Sequence, residues 1–124
     1  MSNCLCKPSE ILLFACSGAA NVGQLSNDAA VEITKEGKAK MFCLAGLGGH
    51  VPGIIDATKQ AKKIIAVDGC PVSCAKKIIE HAGFNIDRYV LITEEGVEKV
   101  PGKSDYSQEE LTKIKNIIDE KINE

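Results

Sequence analysis

Apolar runs of strand length alternate along the chain with segments in which apolar residues recur every three or four positions. Residues 10–16 (EILLFAC) read as a first buried strand, followed by a loop over 18–23. From about residue 24 to residue 36, Leu25, Ala29 and Ile33 share one helical face, and Gly37 ends that helix. Ser26, Asn27 and Asp28 are cap-type residues, which leaves the helix start open on either side of them. Residues 39–45 (AKMFCLA) form a second short strand, 46–49 a glycine loop, and Pro52 opens a helix running to about residue 62. Residues 63–68 (KIIAVD) are a third strand. Pro71 then follows Cys70 as a first helical residue does, with Val72, Ala75, Ile78, Ile79 and Ala82 turned inward until Gly83 stops the helix. Residues 88–93 (RYVLIT) are a fourth strand, and the polar stretch 94–104 is a loop with room for an extra short strand over 97–100. Ser107 and Glu110 have capping-box spacing ahead of a last helix whose stripe is Leu111, Ile114, Ile117, Ile118 and Ile122.

Strict alternation of strand and helix implies an α/β fold, a three-layer α/β/α sandwich around a mostly parallel sheet of about four strands. The crossovers are expected to be right-handed. A chain of 124 residues suits a single domain, here residues 10–124, with residues 1–9 read as a flexible tail that carries Cys4 and Cys6. Aromatics are few (no Trp, two Tyr, three Phe), so the core falls to Ile, Val, Leu and Ala, as in a parallel sheet covered on both faces. The net charge of −2 and the lack of a basic run argue against nucleic acid as a partner. Pairs such as Lys62-Lys63 and Lys76-Lys77 read as solvated faces. Residues 11–16 are the longest early apolar run, far short of the ~18–20 residues that span a bilayer. No basic leader precedes it, so a cytoplasmic protein without a membrane partner is expected. Six cysteines in such a chain point to metal or thiol chemistry rather than a disulfide framework.

Cys16 closes the first strand, Cys43 lies near the end of the second, and Cys70 follows the third. Parallel strands present their ends on one edge, where open α/β sheets bind ligands. Cys70 is expected at a helix N-cap and Cys74 on the first turn, where exposed N–H groups favour thiolate. Four thiolates satisfy the tetrahedral ligation of zinc. The spacing contains no Cys-x-x-Cys, and the alternative for each is a small apolar core residue, strongest for Cys43 between Phe42 and Leu44. Asp68 reads either as a metal or supporting carboxylate or as a group bonding N–H groups of the turn. His50 is a candidate substitute ligand or a plain surface residue, and His81 an exposed residue near a helix C-terminus. The glycine loops match neither a dinucleotide fingerprint nor a phosphate loop. Cys16 opens no Cys-x₅-Arg loop, and no hydrolase nucleophile elbow occurs.

The strings CSGAANVGQLSNDAA (16–30), CLAGLGG (43–49) and DGCPVSCAKK (68–77) together resemble the DGC-domain family. The likeness continues through HAGF (81–84) and LITEEG (91–96), so it covers residues 11–99. It implies zinc held by four cysteines, which fall here on Cys16, Cys43, Cys70 and Cys74, and it implies no particular reaction. Cys4 and Cys6 lie outside it. The expected function is therefore zinc binding by a cysteine cluster at the carboxyl edge of the sheet. A closed site would be structural; an exchangeable position would admit a small soft anion or sulfur-containing ligand. A thiol redox or sulfur-transfer protein using Cys70 and Cys74 is the alternative, and a noncatalytic interaction module the third.

Overall fold

The computed structural model describes residues 8–124; the expected tail, with Cys4 and Cys6, lies almost wholly outside the described residues. A 3-10 turn over Pro8–Glu10 leads into β1 (Ile11–Ala15). There follow α1 (Asn21–Lys35), β2 (Lys40–Met41), α2 (Leu44–Gly48), α3 (Pro52–Lys59), β3 (Lys63–Asp68), α4 (Cys74–His81), β4 (Arg88–Leu91) and α5 (Gln108–Ile122). All strand pairs are parallel, in the order β2-β1-β3-β4. This is the expected α/β architecture.

Strand burial explains the sequence pattern. Every residue of β1 and β3 is buried, because these are the two central strands and helices cover both faces. Alternate side chains divide between the layers. Leu13, Ala15, Ile65 and Val67 pack with α1 and α5, whereas Leu12, Phe14, Ile64 and Ala66 pack with residues of α2 and α4. Each fully buried Leu, Ile or Phe contributes ~1.5–3 kcal/mol of burial free energy. Buried Lys63 opens β3 and donates from Nζ to the carbonyls of Ile122 (3.0 Å) and Glu124 (2.8 Å), satisfying the last turn of α5. The Ser107–Glu110 capping box starts α5 as its spacing predicts.

Four expectations are corrected. The second strand shrinks to Lys40–Met41, and the presumed glycine loop becomes α2, capped by Cys43 Sγ accepting from the Gly46 N–H at 3.3 Å. The helix after β3 begins at Cys74 rather than Pro71, so Cys70 lies in a loop and is not the N-cap; Val72 is 54% exposed, not inward. Among the described residues no strand forms over 97–100. β4 ends at Leu91, and Ile92–Glu95 form a 3-10 turn.

Candidate functional site

The strand order creates the site. From β1 the chain crosses to β2 on one side, then returns to β3 on the other side of β1 and continues to β4. The connections leaving β1 and β3 therefore diverge, and the crevice between them is the topological switch point where such sheets take ligands. Cys16 directly follows β1, and its N–H extends the ladder to the Val67 carbonyl at 3.0 Å. Cys70 stands two residues beyond β3. A cavity of about 210 Å³ opens there, bordered by Cys16, Cys70 and Cys74, by the 17–20 loop and by Lys99. Three of the four predicted site cysteines thus meet at one cavity.

Each residue of Asp68-Gly69-Cys70 has a separable task. Asp68 is 1% exposed, and its carboxylate accepts from the N–H groups of Ala75 (2.8 Å) and Lys76 (3.0 Å) and from the Tyr89 hydroxyl (2.8 Å). It thereby satisfies orphan donors of the first turn of α4 from outside the helix. This is the turn-holding role, and it takes up the N–H groups expected to act on Cys70. Gly69 donates its N–H to Cys16 Sγ at 3.1 Å. A Cβ on Gly69 would stand 2.7 Å from the carbonyl carbon and oxygen of Val22, so only glycine lets this loop lie against α1. Ser26 reinforces the approach, donating to the Val67 carbonyl at 3.0 Å. Cys70 is then left beside the cavity, its carbonyl closing a turn with the Ser73 N–H at 3.0 Å. Ser73 takes φ +58°, a left-handed conformation uncommon for a residue with a side chain, and it delivers Cys74 to the head of α4.

The thiols differ in surroundings. Burial pushes the Cys16 thiol up, the Gly69 N–H opposes that shift, and the nearby Asp68 carboxylate adds to it. Cys70 Sγ receives Lys99 Nζ at 3.4 Å. Lys99 is placed by Asn21, the buried first residue of α1, which donates to the Glu98 carbonyl (2.9 Å) and accepts from the Val100 N–H (2.7 Å). Cys74 is exposed. Neither Lys99 nor Asn21 was legible as a site residue. Lys99 lies in a polar stretch with no motif, and its partner is 29 positions away.

Cys43 and His50 do not border this cavity. β2 lies on the far side of β1 from β3, so Cys43 emerges one strand further from Cys70 and serves as the exposed cap of α2. His50 meets His81 instead, Nε2 to Nδ1 at 3.4 Å. Among the described residues, no three His, Cys, Asp or Glu side chains are gathered so as to hold a metal ion. The donor set at the cavity nevertheless consists of soft sulfur ligands of the kind zinc accepts.

Fold and site together define a parallel α/β domain with a cysteine-lined crevice at its switch point. The chain belongs to the DGC-domain family, whose model matches residues 12–118. It is similar to the anaerobic and virulence modulator AnvM of Pseudomonas aeruginosa, with 35% identity over 98 residues, covering 79% of this chain and 75% of that protein. No solved structure matches the chain. Among the described residues no helix is long and apolar enough to cross a membrane.

Proposed function

We propose that this chain is a regulatory-type domain that binds zinc through its switch-point cysteines. The observation that carries the reading is the shared cavity of Cys16, Cys70 and Cys74. Two of these sulfurs already have the outer partners that zinc-bound thiolates use: the Gly69 N–H on Cys16 and the Lys99 ammonium on Cys70. Such donors offset the charge of clustered thiolates. Cys43 is the fourth ligand in this proposal, contributed from the neighbouring strand end through the short helix it caps. Where only the three cavity cysteines bind, the open position faces the cavity and takes a small soft anion or sulfur-containing ligand. A regulatory role draws on the name of the relative, a modulator.

The second reading is thiol redox or sulfur transfer through Cys70 and Cys74. The Lys99 ammonium, 3.4 Å from Cys70 Sγ, favours it as a charged partner placed at the sulfur. One experiment separates the two: elemental analysis with thiol counting on full-length protein, purified anaerobically without a metal-binding tag. Zinc binding gives one zinc per chain and about four thiols shielded until a chelator is added. Serine at Cys16, Cys43, Cys70 or Cys74 then weakens or abolishes retention. Metal-free protein with freely reacting thiols would sink the zinc reading and leave the redox one.

A further inference from the structure

The chain holds two histidines, and the fold brings them together from elements separated by 31 positions. His81 is the last residue of α4, and His50 follows α2 past its C-cap Gly49. Their ring nitrogens, His50 Nε2 and His81 Nδ1, stand 3.4 Å apart with the rings at 76°. Two nitrogens bonded to one zinc ion at ~2.0–2.1 Å, at a tetrahedral angle, lie about 3.3–3.4 Å apart. The pair is therefore already at the spacing that one tetrahedral ion requires.

The turn that carries His50 gives a second reason. The His50 N–H bonds the Leu47 carbonyl at 3.1 Å and the Val51 N–H the Gly46 carbonyl at 3.0 Å, which is the pattern of a Schellman helix stop. That pattern places His50 in the left-handed position, φ +53°, where glycine is the usual residue. This turn has glycine at positions 48 and 49 but carries an imidazole at the position glycine suits best. The side chain kept there points at His81. Both rings are exposed, so an arriving ion finds them open. The C-terminal end of α4 adds a favourable field for a cation.

We infer that His50 and His81 form a surface clip for a borderline divalent transition-metal ion, with zinc as the reference case and the remaining positions filled by water. The clip is separate from the thiol cavity. Cys74 and His81 lie at opposite ends of α4, seven residues apart in an eight-residue helix, or about 10 Å at 1.5 Å per residue. Between neutral rings, binding moves one proton, and it moves within the donor ring alone. The ring nitrogen that now shares a hydrogen between His50 and His81 gives that hydrogen up, and its own second nitrogen carries it, so both facing lone pairs turn to the ion.

The test uses the full-length chain labelled with ¹⁵N and titrated with zinc beyond the amount its cysteines retain. With two histidines present, the imidazole spectrum contains two ring systems, and each nitrogen is assignable. The expected result is that His50 Nε2 and His81 Nδ1 shift together at one zinc per chain. His50→Ala removes the response of His81, and His81→Ala that of His50. The further gain in melting temperature from zinc added beyond the cysteine-bound amount disappears in both variants, because the ion no longer ties the α2–α3 turn to α4. A response from one ring alone, from the outer nitrogens, or from neither ring would overturn the inference. The cysteine signals report the thiol site separately, so failure there leaves this result readable.

Discussion

Cys16 and Cys43 each follow a strand of the same parallel sheet, yet they end in different worlds. Cys16 leaves β1 at the switch point, half-buried, its sulfur holding the Gly69 N–H and facing Cys70 and Cys74 across the cavity. Cys43 leaves the edge strand β2, exposed, and its sulfur caps a five-residue helix. Same residue and same edge, but the order β2-β1-β3-β4 gives one a crevice and the other a surface. Position relative to the switch point, more than proximity to a strand end, decides which cysteines border the crevice.

The harshest way to break the contrast is to dissolve the crevice itself. Asp68→Ala leaves the N–H groups of Ala75 and Lys76 and the Tyr89 hydroxyl without their acceptor, and should cost about 3 kcal/mol in urea unfolding. A loss under 1 kcal/mol would show that α4 is anchored by something else. Gly69→Ala forces the loop off Val22 and is expected to cost about 2 kcal/mol. Alkylation of Cys16 should accelerate with it, as mass spectrometry of the modified peptides would reveal. Next comes the direct pair. Cys16→Ala leaves the Gly69 N–H unpaired, at about 1–2 kcal/mol, whereas Cys43→Ser supplies a better helix cap and should stay within about 0.5 kcal/mol or stabilise. Equal effects from the two substitutions would erase the distinction drawn above.

One further effect lies outside both regions and calibrates them. Tyr106 bonds Asp28, and burial together with that carboxylate raises its phenol to about 12 from the ordinary 10.0. A raised value means that this contribution is complete below pH 10 and fades as the pH climbs through 12. Tyr106→Phe should cost about 1 kcal/mol at neutral pH and remove that alkaline component from the unfolding curve.

The layered fold was legible because its carriers are local. The unbroken apolar runs of β1 and β3 could only be central strands, and the Ser107–Glu110 spacing announced the start of α5. The misread elements depend on partners far along the chain. Residues 39–49 are apolar without a clear period, and Cys43 turning to the Gly46 N–H converts strand into helix. The start of α4 is fixed by Asp68 from the preceding strand, which no capping pattern around Pro71 discloses. Strand order has no local sequence signal at all. Four cysteines could be placed on one edge of the sheet from sequence, but the separation of Cys43 from the other three required the order itself.

Asn21 carries a consequence of its own. It grips the backbone on both sides of position 99, taking the carbonyl before it and the N–H after it, while leaving the side chain between them untouched. Position 99 therefore works like an interchangeable bit in a fixed chuck: the backbone is held whatever residue is mounted there. Within this family, replacing the ammonium beside Cys70 by a neutral or acidic head would retune the charge of the crevice without rebuilding its walls. One anchored loop would then let a fixed frame serve ligands of different sign.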